Sequence, residues 1–186
     1  ILTGLLNAKL AVAASYDISL TEKVADKLPE KTDNKTAAAD KNKNSNVAGA
    51  SEFVEKLMVT VPEAQVIISQ KPVSKMRIVL NDAAEVEYQV FQDSEHVSIR
   101  PREGSFATDA KKKIIEIQSP SVSVEVHLAN GDVQINDWTQ EALIHVQKGQ
   151  ITTNRSKADF TLHSLGGEIN VNQHVGRVEI DSFRSI

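Results

Sequence analysis

Residues 113–186 read KIIEIQSPSVSVEVHLANGDVQINDWTQEALIHVQKGQITTNRSKADFTLHSLGGEINVNQHVGRVEIDSFRSI. Within this stretch, Gly131, Gly149 and Gly167 stand eighteen residues apart, and a β-branched aliphatic residue follows two positions after each of them. Counting back one more period from the first glycine leads to Lys113, where the same pattern begins again. A fixed period held over four units indicates a structural repeat.

Each unit carries two short runs in which every second residue is apolar, which is typical of strands with one buried face. One run follows the glycine and the other comes later in the unit. The alternating pairs are Ile115/Ile117, Val133/Ile135, Ile151/Thr153 and Ile169/Val171 in the first run, and Val124/Val126, Ala142/Ile144, Phe160/Leu162 and Val178/Ile180 in the second. The glycine marks a corner that needs no Cβ.

One such unit is too short to close a hydrophobic core by itself, so the units are expected to stack on one another. The sequence therefore predicts an all-β fold, a short right- or left-handed β-solenoid of 18-residue two-strand coils. Stacked side-chain amides are expected where Asn136, Asn154 and Asn172 share one offset. A flat sandwich of β-hairpins is the alternative, but that fold does not require so constant a period.

The run IEIQSPSVSVEVHLANGDVQI, with the later VQKGQITT and SLGGEINV, resembles the bacterial putative-adhesin family of solenoid-like domains. The upstream LMVTVPEAQVIISQKPVSKMRIVLNDAAEVEYQVFQDSEHVSIRPRE is similar to the opening strands of that family, so the resemblance covers residues 53–186. Two coils carry Gly-Gln-Ile and Gly-Glu-Ile where the family pattern has Gly-Asp-Val or Gly-Asp-Ile. The resemblance implies a solenoid fold and an adhesin-like role, and it brings no catalytic residues with it.

Composition excludes several classes of function. The chain has 186 residues, no cysteine and a formal net charge of −4. Without cysteine there is no disulfide, thiolate metal site, cysteine nucleophile or lipid-modified cysteine. No basic stripe with interleaved aromatic residues exists, so we expect no nucleic-acid partner. The length fits one domain with additional segments.

The N-terminal third differs in character from the rest of the chain. Residues 1–15 are apolar and end in small residues, which predicts the remnant of a secretory signal peptide. The protein is therefore expected to be exported, to the periplasm or the cell surface. No membrane span is expected after removal of the signal. A short amphipathic helix is the alternative for this segment. Residues 16–52 are polar and charged without an apolar pattern, which predicts a disordered linker.

Short β-rich runs separated by prolines and turn residues fill residues 53–112, which predicts an N-terminal β-sheet cap. This cap is expected to cover the solenoid of residues 113–186, so that residues 53–186 form one domain. Val97 and Ile99 stand one period before Ile115 and Ile117, which favours a start of the solenoid at these residues. At the other end Ser185 takes the glycine position. Either the sequence is a fragment, or the last coil presents an open strand edge, which favours edge-to-edge self-association.

Three histidines share one position of the repeat: His127, His145 and His163, and Asp181 takes that position one period later. Their offset lies between two inward positions, so these side chains are expected to point outward. Stacked imidazoles with a terminal carboxylate could bind Zn²⁺ or a similar ion. The alternative is an exposed ladder that the repeat propagates without function, since strand spacing of about 4.8 Å is wide for two ligands of one ion.

Trp138 is the chain's single tryptophan and lies in a turn of the repeat. It is interpreted either as a stacking platform for a sugar or partner side chain, or as a corner residue folded over the edge of the coil. No nucleophile elbow, Walker loop, dinucleotide fingerprint or zinc-protease motif occurs in the sequence. We therefore expect neither catalytic residues nor a cofactor.

These observations favour a non-catalytic cell-envelope or surface protein whose solenoid binds or scaffolds an unidentified protein or polysaccharide of the envelope. The alternative is a polysaccharide-active β-helix enzyme. Such enzymes build their sites on long insertions between coils, and the uniform coils of this sequence speak against them.

Overall fold

The computed structural model describes residues 14–19, 54–93, 95–104 and 111–183. Within them, eleven strands form one mixed parallel and antiparallel sheet. In chain order the elements are β1 (Ala14–Ser19), β2 (Lys56–Gln70), β3 (Lys75–Leu80), α1 (Asp82–Glu87), β4 (Tyr88–Gln92), β5 (His96–Pro101), β6 (Ile114–Ser119), β7 (Ser123–Asn136), β8 (Ala142–Asn154), β9 (Phe160–Ser164), β10 (Gly167–Asn172) and β11 (Val178–Ser182). The predicted all-β class is thus confirmed in its broad sense.

Helix is almost absent from the described residues, because α1 has only six residues. No helix in this part of the chain is long or apolar enough to cross a lipid bilayer.

The strands from β7 onward pair in parallel at a constant offset. Each paired residue of β8 lies opposite the residue eighteen positions earlier in β7, as Ile144 lies opposite Val126. The same offset pairs β9 and β10 with β8, and β11 with β9. Equivalent side chains of successive units therefore form columns across the sheet.

Alternation along these strands separates a buried face from an exposed one. Ile144 and Leu162 lie opposite one another and are both fully buried, while the adjacent His145 and His163 are partly exposed. The inward register expected from the repeat is confirmed at these positions. Full burial of a Leu or Ile side chain contributes roughly 1.5–3 kcal/mol.

The three period-marking glycines form a column of backbone-to-backbone contact. Gly131, Gly149 and Gly167 have φ angles of 127°, 138° and 154°. A Cβ on Gly149 would lie 1.8 Å from the carbonyl oxygen of Gly131, and a Cβ on Gly167 would lie 1.7 Å from that of Gly149. No side chain fits between these backbones, so the column requires glycine.

A second corner recurs with the same period. Asp137, Arg155 and Gln173 have φ angles of 58°, 51° and 53°, in the left-handed region that non-glycine residues seldom occupy. The Arg155 guanidinium donates two hydrogen bonds to the Asp137 carboxylate, at 2.7 and 2.9 Å. This hydrogen bonding lowers the pKa of Asp137. Successive corners are thus linked by a bidentate ion pair at the surface.

Strand β2 lies in the segment predicted as a cap and pairs with the first strand of the segment predicted as solenoid. It pairs in parallel with β7 over almost its whole length, from Lys56 opposite Ser123 to Ser69 opposite Asn136. Its other edge pairs with β5 and β6. The reason is that β2 itself has the alternating burial of a repeat unit, with Ala64 opposite Gly131 at the glycine corner.

We call the strands at one height of this stack a rung. In spatial order the rungs are β5 with β6, then β2, β7, β8, β9 with β10, and finally β11.

The predicted register of the earliest strands is wrong for the same reason. Val97 was expected one period before Ile115, in one column with it. Instead Val97 lies opposite Leu57 and Ile115 lies opposite Val66, so β5 and β6 pair with two different halves of β2. The intervening β2 also separates β6 from β7, which the repeat pattern would have made neighbours.

Beyond β6, the sheet turns antiparallel. Strand β3 pairs with β6, and β1 pairs with β3, so that Ile18 lies opposite Met76. Residues 16–19, predicted as linker, and residues 14–15, predicted as part of the signal remnant, are therefore in a strand. Tyr16 and Ile18 are two positions apart and so face the same side of the strand. Both side chains pack in or against the hydrophobic core, which explains why this segment pairs with β3. Residues 1–13 and 20–52 of the two predicted segments lie outside the described residues.

A buried ion pair lies near Ala64, the residue of β2 that is opposite Gly131. Lys113 is 2% exposed, and its Nζ lies 3.2 Å from Glu87 Oε2 and 3.4 Å from Glu63 Oε2. The Tyr88 hydroxyl donates to the backbone carbonyl of Glu63. Burial raises the pKa of Tyr88. These contacts join α1, β2 and the start of β6.

Replacement of Gly149 by valine tests the glycine column. We expect Gly149→Val to reduce the free energy of unfolding by about 3 kcal/mol or more, because both backbone strain and the contact with Gly131 act against it. Urea denaturation measures the loss.

Gly104→Val is the matched control, because Gly104 has φ of 77° and a Cβ at this position would have nothing within 4 Å of it. The Gly104→Val variant therefore reports backbone strain alone, which costs of the order of 1–3 kcal/mol. If both variants lose the same free energy of unfolding, the contact between Gly149 and Gly131 does not contribute to the loss.

Candidate functional site

The predicted histidine column lies on one outer face of the sheet. Thr60 of β2 is opposite His127 of β7, which is opposite His145 of β8. His145 is opposite His163 of β9, and His163 is opposite Asp181 of β11. We call this column, with the outward residues on either side of it, the histidine face.

The imidazole rings of neighbouring rungs are close but not stacked flat. The ring centroids of His127 and His145 are 5.9 Å apart with planes tilted by 31°, and those of His145 and His163 are 6.1 Å apart with planes tilted by 40°. The side chains of His127 and His163 are 40% and 33% exposed. The rings are therefore accessible to solutes and have room to turn.

A carboxylate stands at each end of the column. His127 Nε2 lies 2.7 Å from Glu125 Oε1, and His163 Nδ1 lies 3.5 Å from Asp181 Oδ2. Glu125 also forms an ion pair with Lys56 of the neighbouring strand. Hydrogen bonds from Lys56 and then from His127 lower the pKa of Glu125. His127 is thus oriented by a hydrogen bond to Glu125, whereas His163 and Asp181 lie only at ion-pair distance, and His145 is part of neither pair.

A groove of about 380 Å³ runs beside the first two histidines. Apolar residues from several rungs form most of its wall, and polar groups come from the column and its neighbour. The lining residues are Thr60, Val61, Pro62, Pro101, His127, Leu128, Ala129, His145 and Gln147. A groove with an apolar wall and a few polar groups is the usual form of a binding site.

The predicted metal site of His127, His145, His163 and Asp181 is not gathered into a cluster. Among the described residues, no three histidine or acidic side chains are placed together so that they could hold a metal ion. The regular separation of the rungs is the reason, because each rung contributes one side chain to the column and the next is a full strand spacing away.

The opposite outer face is polar and carries a chain of side-chain amides. Asn154 Nδ2 donates to Asn136 Oδ1 at 3.0 Å, and Asn172 Nδ2 donates to Asn154 Oδ1 at 3.1 Å. Gln134 Nε2 donates to the same Asn136 oxygen at 3.1 Å. The asparagine column expected from the sequence is therefore assembled. The amides largely satisfy each other, which leaves this face flat and polar.

Trp138 is fully buried, so it is not a stacking platform for a ligand. It fills the core at the second corner instead of folding over an outer edge. Its position in the repeat is taken by buried Ser156 one rung later and by His174 after that. The His174 ring packs against Phe160 at a centroid distance of 5.0 Å. No role was predicted for His174, which takes the same offset in the repeat as Trp138.

The groove itself was not predicted. Pro62 and Pro101 come from β2 and β5, which the repeat pattern did not place beside β7. Only the pairing of β2 with β7 brings Thr60 and Val61 next to the histidines, and no residue type in those segments indicates it.

No protein-family model matches this sequence, and no curated protein is similar to it. Several solved structures are similar in fold at low identity. A putative adhesin from Parabacteroides distasonis is 11% identical, with 92% of this chain and 70% of that chain covered and a TM-score of 0.38. A putative adhesin from Bacteroides fragilis is 11% identical, with 91% and 97% covered and a TM-score of 0.34.

A third structure, a putative lipid binding protein from Parabacteroides distasonis, is 8% identical, with 92% and 97% covered and a TM-score of 0.28.

Acid titration tests the Glu125 contacts. Because the folded-state pKa of Glu125 is lowered, its contribution to stability is present above the unfolded-state value of about 4.3 and is lost as pH falls through the folded-state value. We expect Glu125→Gln to cost about 1 kcal/mol at pH 7 and progressively less below pH 4.

Urea denaturation between pH 7 and pH 3 measures this difference. Glu141→Gln, at an exposed carboxylate just before β8, is the control and should show no such convergence. A pH-independent cost of Glu125→Gln would contradict the assignment.

Proposed function

We propose that this chain is a non-catalytic binding or scaffolding protein of the cell envelope or cell surface, exported and folded as a β-solenoid. The observation that supports it most is the series of parallel rungs with uninterrupted outer faces. One face carries the histidine column and an apolar groove, and the other carries the amide chain. Such flat, repeated surfaces suit the recognition of an extended partner.

Three recurring features support the solenoid. Strands β7 to β11 pair at an eighteen-residue offset. The glycine corner at Gly131, Gly149 and Gly167 recurs at that offset. The corner at Asp137, Arg155 and Gln173, where φ is also positive, recurs at the same offset. In this proposal residues 53–186 are one domain to which β1 adds a strand, and the signal remnant ends before β1 instead of at residue 15.

The groove beside His127 is the proposed binding surface. Its accessible apolar wall, formed by Pro62, Pro101 and Ala129, supplies area that a partner can bury, and the imidazoles and Gln147 supply hydrogen bonds that orient the partner. The partner in this proposal is a protein or polysaccharide of the cell envelope, and nucleic acid is not among the proposed partners.

Binding to purified envelope components tests this function. The immobilised full chain is exposed to peptidoglycan, to surface polysaccharides and to purified surface proteins. We expect at least one to bind, and Gln147→Lys on the groove to weaken that binding at least tenfold. Thr152→Lys on the amide face is the matched control and should bind as the parent does.

Absence of binding to every component would contradict the proposal, as would equal weakening by both variants. Circular dichroism confirms in each case that the variant is folded.

A polysaccharide-active enzyme is the second candidate, favoured by the Glu125–His127 pair beside the groove. A carboxylate 2.7 Å from an imidazole is an arrangement that can orient a general base. An activity screen on bacterial polysaccharides, repeated with Glu125→Gln and His127→Gln, separates the candidates. Turnover that both variants abolish would favour the enzyme.

We also propose that two copies associate through the last described rung. The inward position that is buried at Ile144 and Leu162 is 51% exposed at Ile180, and Phe183 nearby is 69% exposed. An antiparallel pairing of β11 with its copy, centred on Glu179, would set Arg177 opposite Asp181 of the second copy and satisfy both strand edges.

Sedimentation velocity over a range of concentrations tests this association. The parent is expected to form a dimer that Ile180→Lys disrupts. Val86→Lys is the control, because Val86 is also exposed, at 71%, but lies on α1. A parent that remains monomeric at every concentration would disprove the association.

A further inference from the structure

We infer that adjacent histidines of the column form a two-imidazole chelate for Zn²⁺, Ni²⁺ or Cu²⁺, with His145 as the ligand shared by two alternative pairs. Such a chelate is independent of the proposed binding function. It replaces the four-residue metal site predicted from the sequence, which the regular spacing of the rungs does not assemble.

The distances between the rings are close to those of a chelate. A metal–nitrogen bond of about 2.1 Å places each ring centroid about 3 Å from the ion, so two rings on a tetrahedral ion have centroids about 5 Å apart. The observed separations are 5.9 and 6.1 Å. Because these side chains are partly exposed, small rotations of their side-chain torsions close a gap of about 1 Å.

A carboxylate lies beside one ring nitrogen of each outer histidine, hydrogen-bonded to His127 and 3.5 Å from His163, so the other ring nitrogen is available for coordination. In metal sites, a histidine ligand usually hydrogen-bonds through its other ring nitrogen to a carboxylate, which fixes its orientation and raises its basicity. Glu125 holds Nε2 of His127, which leaves Nδ1 as the ligand. Asp181 lies beside Nδ1 of His163, which leaves Nε2 as the ligand. The free nitrogens of the two outer rings are thus different atoms.

Geometry also fixes the stoichiometry. His145 is the neighbour of both outer histidines, while His127 and His163 are two rungs apart and are not neighbours. A single ion therefore uses His145 with one partner at a time, and the second pair cannot form simultaneously. Water completes the coordination shell on the open side of the face.

The ligand type selects the metal. Imidazole nitrogen suits zinc, copper and nickel, whereas magnesium and calcium require oxygen ligands. With two protein ligands, binding is expected to be weak, and the open coordination positions face the groove beside His127 and His145.

Calorimetric titration of the full chain with NiCl₂, and separately with ZnCl₂, tests the chelate. We expect one ion per chain and no binding of MgCl₂. His145→Gln should weaken binding at least tenfold, because it removes both pairs. His127→Gln and His163→Gln should each weaken it only about twofold, because one pair remains.

His96→Gln is the matched control, since His96 lies beside Asp93 and outside the column. The double variant His127→Gln/His163→Gln keeps His145 alone and should lose binding as fully as His145→Gln does, which guards against a folding defect in the single variant. Imidazole ¹⁵N resonances of the column, broadened by Ni²⁺ in the parent, identify the ligands directly.

Wild-type affinity in His145→Gln, retention of binding by the double variant, or loss of binding in His96→Gln would each overturn the inference. A stoichiometry of two ions in the column would overturn the sharing of His145.

Discussion

Backbone contact at the glycine column is the constraint on which the remaining structure depends. A Cβ at Gly149 would lie 1.8 Å from a carbonyl of the rung before it, so each rung approaches the next at a distance that only glycine allows. This contact fixes the height and the register of the rungs from β2 to β10 at one corner. The bidentate pair of Arg155 with Asp137 links the rungs at the other corner. Because both corners are fixed, side chains eighteen residues apart lie next to each other on neighbouring strands. Histidines or asparagines that repeat at this spacing therefore form a column.

Spatial order and chain order differ at one place, and the groove results from it. Strand β2 precedes β5 and β6 in the chain, yet it lies between them and β7. Its pairing with β7 spans 67 positions, as from Lys56 to Ser123, whereas later rungs pair at eighteen. Contacts so distant in sequence form slowly because closing a long loop costs entropy. The same position of β2 sets Pro62 and Pro101 beside His127, so the groove lies where the eighteen-residue repeat is interrupted.

The sequence allowed a good prediction of the strands from β7 onward and a poor one of the strands before it. Local periodicity determines which residues of β8 face inward, because Ile144 and Leu162 repeat at the same offset, and it determines the histidine and asparagine columns. Pairing of β2 with β7 depends on tertiary packing, and an alternating strand carries no information about which neighbour it will choose. Strand β1 was missed because six residues with two apolar side chains resemble linker until β3 is present to pair with them. Trp138 was misjudged because a turn position does not indicate the direction of its side chain.

The core changes along the stack, and its exposed end locates the least stable part of the molecule. In one inward column Ile135 is followed by Thr153, and in another Val146 is followed by Ser164. The hydroxyl groups of Thr153 and Ser164 are buried and have no hydrogen-bond partner among the described residues. An unsatisfied buried polar group costs about 1–3 kcal/mol, and Ser119 of β6 and Trp138 after β7 carry the same kind of cost, so these groups do not by themselves distinguish early from late rungs. The last rung, by contrast, lacks a covering neighbour in the described structure, as the 51% exposure of Ile180 shows. Local opening is therefore expected to begin at β11 and to reach β7 last. The groove beside His127 lies on the rungs that are covered on both sides, where a rigid surface can recognise a partner without the entropic cost of being ordered first.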